Sequence, residues 1–295
     1  MMGHRTVQGR RRVLAGLIAL FAVTASTVAW GNKLAGSEKR TALVIGNSAY
    51  KISPLKNPVN DAHAVAGTLR GLGFDVLLRE NTTFKDLLEA MRLFSLRSQD
   101  ADVRLVFYAG HGIQVKGRNY LLPIDTVLQS EEEAASKAAD VNQLLDRMSQ
   151  AKEGMNVVIL DACRNNPFAG NDVVLPDGRR MRYRSLQPGG LAKVDPPLGT
   201  LIAFSTAPGG VALDNPNAKN SLYTQHLIAN MQVAGLPIEQ LFKRVRAGVA
   251  QESGRMQVPW ESSSIMNDFC FKSVNGGSCV TSGSAVDAPG AKINR

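Results

Sequence analysis

The feature that most limits how this chain can fold is the alternation, from Arg40 onward, of short β-rich segments with segments of helical periodicity. This order is typical of an α/β domain in which a mostly parallel sheet is covered by helices on both faces, a three-layer sandwich. The predicted strands are 41–45, 74–78, 103–109, 156–160 and 201–205. One predicted helix begins at 60 or 61, and a second begins after 82 or 83. Three further helices are predicted over 141–148, 221–231 and 238–251, and a hairpin over 113–122.

Two of the predicted strands end in residues with reactive side chains. The third leads into Gly110-His111-Gly112 and the fourth into Asp161-Ala162-Cys163. The functional crevice of an open parallel sheet lies beyond the carboxyl ends of its strands, so we expect His111 and Cys163 to be spatial neighbours. An imidazole beside a thiol can take up its proton and produce the nucleophilic thiolate. The sequence therefore predicts a catalytic pair.

A glycine follows the predicted catalytic histidine. Gly112 leaves room for a substrate, and its backbone N–H, together with that of Cys163, can hold a developing oxyanion. The alternative interpretation is that Cys163 is a small core residue and His111 an incidental loop residue. The remaining histidines, His4, His63 and His226, lie in the N-terminal segment or in predicted helices and are assigned no role.

The N-terminal segment has the plan of a targeting sequence. A basic stretch ending in Arg10-Arg11-Arg12 precedes an uncharged run over 13–30, which predicts a signal peptide that loosely resembles a twin-arginine signal. The alternative is an uncleaved membrane anchor, since about 18 apolar residues is the lower limit for spanning a bilayer. Either interpretation predicts export to the periplasm or the exterior, with membrane contact only through this segment.

Charge and aromatic content argue against nucleic acid as a partner. The net charge is +9, but four arginines of the N-terminal segment contribute to it, and only 6% of the residues are aromatic. A nucleic-acid surface would cluster its cations on one element and interleave aromatic residues that stack on bases. The partners that remain are protein or peptide substrates.

The three cysteines divide into a pair and a single residue. Cys270 and Cys279 lie close together near the C-terminus and can form a disulfide in an oxidising compartment, which would leave Cys163 free. The alternative is three reduced thiols. After Lys272 the composition turns to small residues, so we expect the domain to cover 38–272 and a flexible tail to cover 273–295.

The residues around the predicted pair resemble the caspase and metacaspase group of cysteine peptidases, in particular its bacterial members. The resemblance rests on segments that span about 40 to 270: Thr41 to Asn47 with Tyr50, Leu55 to Ala62, Tyr108-Ala109-Gly110-His111-Gly112, Leu160-Asp161-Ala162-Cys163-Arg164 and Ala203-Phe204-Ser205-Thr206-Ala207. It implies a caspase-like sandwich that hydrolyses peptide bonds, with His111 as general acid and base and Cys163 as nucleophile. It implies no cofactor in the chemistry.

The resemblance also bears on specificity. Caspases cut after Asp and use basic pocket residues, whereas metacaspases cut after Arg or Lys and use acidic ones. Asp61 and Asp161 match the acidic positions, with Asp214 as a third candidate, and paired carboxylates favour a bidentate guanidinium, so we expect cleavage after Arg and then Lys. The alternative is that Asp61 caps its helix and Asp161 makes a strand-end hydrogen bond.

Residues 170–199 are rich in Gly, Pro and Arg without apolar period, which predicts a long surface loop. The resemblance identifies this loop as the connection between the large and small catalytic units. If the enzyme cuts after Arg, candidate self-processing sites in it are Arg179, Arg180, Arg182 and Arg184; the alternative is a solvated basic loop.

The sequence departs from the metacaspase pattern at two places. Asn57-Pro58-Val59 stands where metacaspases usually have Gly and Cys, and Arg164-Asn165-Asn166 follows the cysteine in place of His-Ser-Gly. These departures leave the pocket details and any calcium activation open, and we identify no cluster of calcium ligands in the sequence. The competing functions are a caspase-like module that binds peptides without cleaving them, and another thiol hydrolase or transpeptidase on a similar sheet.

Overall fold

A computed structural model describes residues 38–128, 130, 133–162, 194–207, 212–215, 217–274 and 279, with the backbone alone of 172–174, 180–183 and 214. All of these belong to the unit Ser37–Arg295; the other unit of the chain, Met1–Gly36, contains none of them. The predicted targeting segment and most of the predicted tail therefore lie outside the described residues. Within the described part of the chain, no helix is both long and apolar enough to cross a membrane.

The described residues form strands and helices in the alternating order that the sequence predicts. The strands are β1 (Arg40–Gly46), β2 (Phe74–Glu80), β3 (Val103–Gly110), β4 (Gly112–Val115), β5 (Arg118–Leu121), β6 (Ala139–Asp140), β7 (Met155–Ala162), β8 (Asp172–Val174), β9 (Arg180–Tyr183), β10 (Thr200–Phe204), β11 (Leu213–Asp214) and β12 (Trp260–Ser263). The helices are α1 (Pro58–Gly71), α2 (Phe84–Arg97), α3 (Ala134–Lys137), α4 (Val141–Ser149), α5 (Leu222–Met231) and α6 (Ile238–Glu252).

The main sheet has the strand order β12-β10-β7-β3-β1-β2. Its strands are parallel except β12, which is antiparallel to β10. Alternate side chains of each buried strand point to opposite faces, so the sheet carries two cores. One core packs α1, α5 and α6 against the sheet, and the other packs α2 and α4. The mostly parallel, three-layer sandwich is confirmed.

The start of α1 lies close against the end of β1, which brings its first turn to the carboxyl edge of the sheet. Gly46 permits this approach, because a Cβ at that position would lie 2.7 Å from the Cβ of Ala62. Helix α2 begins with a capping box, in which Thr83 and Asp86 satisfy each other's backbone N–H groups. The start of α2 thus follows from local sequence, whereas α1 begins at Pro58, two or three residues before the predicted start, with no side-chain cap.

A small antiparallel sheet, β4-β5-β6, rises from the carboxyl end of β3. It contains the predicted hairpin and packs its own apolar cluster, which includes Tyr50 and Leu55 from the segment that follows β1. This cluster holds the chain around His111 from two sides.

Two sequence predictions need correction. The segment 170–199 is not all loop: β8 and β9 form a hairpin, and β11 joins it as a third strand beside β9. The sequence signal was Pro176-Asp177-Gly178, residue types that favour turns, followed by alternating basic and apolar residues over 180–183. Arg180 and Arg182 therefore lie in the central strand of a small sheet and not in an exposed loop, whereas Arg179 and Arg184 fall outside the described residues.

The edge strand β12 was not predicted from the sequence. Its residues, Trp-Glu-Ser-Ser, contain one apolar side chain, and Trp260 is itself exposed. An edge strand that does not bury a face has no apolar pattern to detect, and its pairing with β10 is decided by backbone hydrogen bonds.

Candidate active site

The candidate site lies at the carboxyl ends of the two central strands. Strands β3 and β7 pair in parallel, and Gly110 lies opposite Ala162 in their register. The residues that follow these two in the sequence are His111 and Cys163. Cys163 itself lies outside the described residues, as do 164–171.

His111 is held in one orientation. Its side chain is buried, and its ring centroid lies 4.4 Å from that of Tyr50. The Nε2 atom lies 2.8 Å from the backbone oxygen of Ser53. Since a carbonyl oxygen can only accept a hydrogen bond, Nε2 carries the proton and Nδ1 is the basic nitrogen of the neutral ring.

Two buried tyrosines fix the backbone of His111. The Tyr50 hydroxyl accepts from the His111 N–H at 2.8 Å and donates to the Leu122 carbonyl at 3.0 Å. The Tyr108 hydroxyl lies 2.8 Å from the carbonyl oxygens of both His111 and Leu122, which share its single donor hydrogen. Burial, with Tyr50 as a lesser cause, raises the pKa of Tyr108 well above its ordinary value. It therefore stays a protonated donor at neutral and mildly alkaline pH.

The glycines around His111 have different roles. Gly110 has a φ of 156°, and a Cβ there would lie 2.5 Å from the Tyr50 hydroxyl and 2.8 Å from the Tyr108 hydroxyl. Gly112 pairs with Leu121 in the β4–β5 ladder, and the adjacent bond from Leu122 N–H to His111 O makes this a non-hydrogen-bonded pair. The ladder thus leaves the Gly112 N–H pointing away from β5, as an oxyanion donor requires.

Two of the three predicted specificity acids meet at the start of α5. Asp61, in the first turn of α1, is fully buried, and its Oδ1 accepts from Asn220 Nδ2 and from the Ser221 N–H, both at 2.9 Å. Asp161, near the end of β7, is 1% exposed, and its Oδ2 accepts from the hydroxyls of Ser221 at 2.5 Å and Thr224 at 3.1 Å. Ser221 therefore contacts both carboxylates.

These contacts bear on the alternatives for the two acids. The Oδ1 atom of Asp61 accepts its hydrogen bonds from the start of α5 and not from its own helix, so these bonds do not cap α1. Asp161 does make strand-end hydrogen bonds, and among the described residues it has no ion pair. For Asp214, the third candidate, the structure describes only the backbone, in β11 directly before the segment that leads to α5.

The side chain of Tyr223 lies in the same region. Its hydroxyl is buried without a hydrogen-bond partner in the described part of the protein. Burial, and after it the negative charge of Asp161 and then of Glu261, raises the pKa of this phenol well above its ordinary value. The described residues contain no group of three or more His, Cys, Asp or Glu side chains that could hold a metal ion.

The family follows from a comparison with known domains. The family model for the caspase domain matches residues 39–270, which covers the main sheet, both helical layers and the His111 site. The chain belongs to the caspase-domain family of cysteine peptidases.

Known proteins with a caspase domain are similar to this chain over stretches of different length. The mucosa-associated lymphoid tissue lymphoma translocation protein 1 of Homo sapiens is 31% identical over 129 residues, 43% of this chain and 15% of that protein. Caspase-1 of Sus scrofa is 26% identical over 240 residues, 75% of this chain and 56% of that protein. The chain thus spans a small part of the first relative and about half of the second.

A solved structure supports the fold. The crystal structure of caspase-1 from Spodoptera frugiperda superimposes with a TM-score of 0.58 at 19% identity, covering 81% of this chain and 92% of that one. The predicted family and caspase-like fold are confirmed.

Some features of this caspase-domain site were not assigned a function from the sequence. Tyr50 and Tyr108 were part of the family resemblance, but nothing assigned them to His111, and Ser53 and Ser221 were not singled out. Tyr108 lies three residues before His111, and the other residues from Leu105 to Ala109 are apolar. A polar group within such a run is a signal that could have drawn attention. The other contacts join segments far apart in sequence and leave no local pattern.

Proposed function

We propose that this caspase-domain protein is a cysteine endopeptidase with His111 and Cys163 as its catalytic pair. The observation that supports the proposal is the register of β3 and β7, in which Gly110 lies opposite Ala162. These two residues directly precede His111 and Cys163 in the sequence, and the His111 ring is fixed by Ser53. A buried, oriented imidazole beside a cysteine is the arrangement that thiol activation needs.

The chemistry follows from the assigned protonation of the ring. Nδ1 takes the thiol proton, and the Cys163 thiolate attacks the peptide carbonyl carbon to give a tetrahedral oxyanion, which the N–H groups of Gly112 and Cys163 stabilise. The imidazolium then protonates the leaving amine, and the C–N bond breaks to leave a thioester. A water molecule, deprotonated by Nδ1, hydrolyses the thioester and releases the acid and the free thiol.

The proposed specificity is for Arg, and then Lys, before the cleaved bond. The supporting feature is the acidic pocket, by which we mean Asp61, Asp161 and Asp214. Both described side chains of the pocket are at most 1% exposed, and a carboxylate shielded from water attracts a cation more strongly than an exposed one does. A planar guanidinium can donate to two carboxylates at once, whereas an ammonium cannot match this geometry.

Hydrolysis of fluorogenic peptides that end in Arg, Lys or Asp tests the proposal, with Cys163→Ala and His111→Ala as controls and with calcium present or chelated. We expect Arg cleavage to exceed Lys cleavage and both variants to lose activity. Cleavage after Asp would keep the peptidase and refute the acidic pocket. No cleavage of any peptide would favour the peptide-binding module.

We also propose that the protein is exported. The basic N-terminal segment followed by an uncharged run supports this, and so does the Cys270–Cys279 disulfide, whose Cα atoms lie 5.6 Å apart, because such bonds persist in oxidising compartments. Mass spectrometry of the mature N-terminus in cell fractions tests it. An intact Met1 in a cytoplasmic fraction would refute export.

A further inference from the structure

Asn57, the residue before α1, is bonded to a segment about 160 positions away. Its side chain is fully buried. Nδ2 donates to the carbonyl oxygens of Ala218 at 2.9 Å and Lys219 at 3.1 Å, and Oδ1 accepts from the Asn215 N–H at 2.8 Å. Both amide donors and the acceptor are therefore used on residues 215 and 217–219, which we call the Asn215 loop.

Helix α1 does not explain this residue. Asparagine before a helix is favoured because its oxygen accepts from the first free N–H groups of that helix, yet the N-cap of α1 has no side-chain hydrogen bond. The amide of Asn57 is directed to the Asn215 loop, so what it stabilises is the loop. It also stands in the stretch that departs from the metacaspase pattern.

The Asn215 loop joins the parts of the acidic pocket. It begins directly after Asp214 and leads to Asn220 and Ser221, which hold Asp61. Asn57 and Asp61 lie one helical turn apart at the start of α1, so this turn holds both ends of the segment 215–221. Because the Asn57 amide is planar and rigid, its three hydrogen bonds fix the position of the loop relative to the start of α1.

We propose that Asn57 is a positioning residue for the acidic pocket: it fixes the Asn215 loop, and with it Asp214 and the start of α5, relative to Asp61 and Asp161. This inference rests on the proposed function, since it concerns how the same pocket binds arginine. Asn57 does not contact the substrate. Its effect is geometric, because a bidentate guanidinium tolerates little displacement of its carboxylates.

The variant Asn57→Ser tests the proposal, since serine is accepted before a helix but is too short to form the three bonds. Kinetics are compared on matched peptides that end in Arg or in citrulline, its neutral isostere. We expect kcat/KM for the Arg peptide to fall about tenfold, mainly through KM, and the Arg-to-citrulline ratio to fall with it. The rate of Cys163 alkylation by iodoacetamide, which reports the catalytic pair, should stay unchanged.

Asn156→Ala is the matched control. Asn156 is also a buried asparagine, but it bonds Arg104 and Thr200 at the opposite end of the sheet. It should lower the melting temperature and leave the Arg-to-citrulline ratio intact. If Asn57→Ser and Asn156→Ala behave alike, with an unchanged ratio in both, Asn57 is merely structural and the proposal is wrong.

The variant Asn57→Asp tests the proposal should Asn57→Ser fold poorly, and hydrogen exchange tests it without an activity assay. Asn57→Asp keeps the acceptor for Asn215 but places a carboxylate against two carbonyl oxygens, so its ratio should fall further than that of Asn57→Ser. Hydrogen exchange of the amides of 215 and 221 should speed up in both variants, and unchanged exchange would overturn the proposal that Asn57 fixes the Asn215 loop. If wild type cleaves no peptide, the proposed function fails, and exchange still decides whether Asn57 holds the loop.

Discussion

The Tyr50 hydroxyl is the acceptor for the buried His111 N–H, so at the scale of single residues it links fold stability to catalysis. Tyr50→Phe should lower the free energy of unfolding by about 1–3 kcal/mol, because it leaves that N–H without its acceptor. It should also lower kcat by about tenfold, since the imidazole loses its backbone support. Urea unfolding and peptide hydrolysis measure the two effects.

Tyr223→Phe is the control for Tyr50→Phe. It removes a phenol hydroxyl that is equally buried but has no hydrogen-bond partner among the described residues. Stability should be unchanged or slightly higher, because a desolvated polar atom is removed. Equal losses in the two variants would mean that the Tyr50 hydrogen bond contributes nothing specific.

Gly110→Ala is the second prediction at this scale. The added Cβ would lie 2.5 Å from one buried hydroxyl and 2.8 Å from another, and both are fixed by hydrogen bonds to backbone. We expect a loss of about 1–3 kcal/mol of stability and a soluble protein with little or no peptidase activity. The measurement is thermal unfolding with a parallel activity assay.

Gly67→Ala provides the contrast. Gly67 lies inside α1, and a Cβ there would meet nothing within 4 Å. Alanine should stabilise the protein by about 0.5–1 kcal/mol, because it reduces the entropy of the unfolded chain and favours helix. An active Gly110→Ala enzyme would show that the two hydroxyls need not stay where they are.

At the scale of elements, the ends of β7 and α1 place two buried carboxylates around the start of α5. Asp161→Asn removes one negative charge and keeps a carbonyl acceptor for the Ser221 hydroxyl. Folding stability should hold or rise, by about 1–3 kcal/mol at most, while kcat/KM for Arg peptides falls by roughly a hundredfold or more. Unfolding curves and the kinetics of Arg and citrulline peptides check both parts.

Asp140→Asn is the matched change at another helix start. Asp140 caps α4 and pairs with Arg118 at 2.5 Å, so its carboxylate supports the fold. Asparagine caps a helix about as well as aspartate, so this variant should lose at most about 1 kcal/mol of stability, through the ion pair with Arg118, and keep the Arg-to-citrulline ratio. Asp161→Asn could instead lose as much stability as Asp140→Asn and keep the same Arg-to-citrulline ratio. The carboxylate of Asp161 would then be a structural group and not a substrate ligand.

At the scale of the whole molecule, the Cys270–Cys279 disulfide lies at the edge of the fold far from the candidate site. It borders a cavity of about 630 Å³ lined by Arg40 and Gly71 to Gly73, near the amino ends of β1 and β2. The site is at the carboxyl end of the sheet. The bond should therefore affect stability and not chemistry.

The double variant Cys270→Ser and Cys279→Ser should lose about 2.5 kcal/mol of stability, the loop-closure entropy of a loop of about ten residues. Its kcat/KM and Arg-to-citrulline ratio should equal those of wild type. Adding reductant to wild type should reproduce the loss in thermal unfolding. A drop in activity at temperatures where the variant is folded would connect this edge to the site and refute the separation.

Local patterns in the sequence determined the layered sheet and the order of its main strands along the chain, and they predicted His111 and Cys163 as the catalytic pair, because buried strands and strand-end motifs are encoded by neighbouring residues. Only the tertiary structure decided the rest. Three sets of hydrogen bonds show this: Tyr50 supports His111, Ser221 joins Asp61 to Asp161, and Asn57 holds the Asn215 loop. Each joins segments about 60 to 160 residues apart. Such bonds form only once packing has brought the segments together, so no periodicity or spacing in the chain records them.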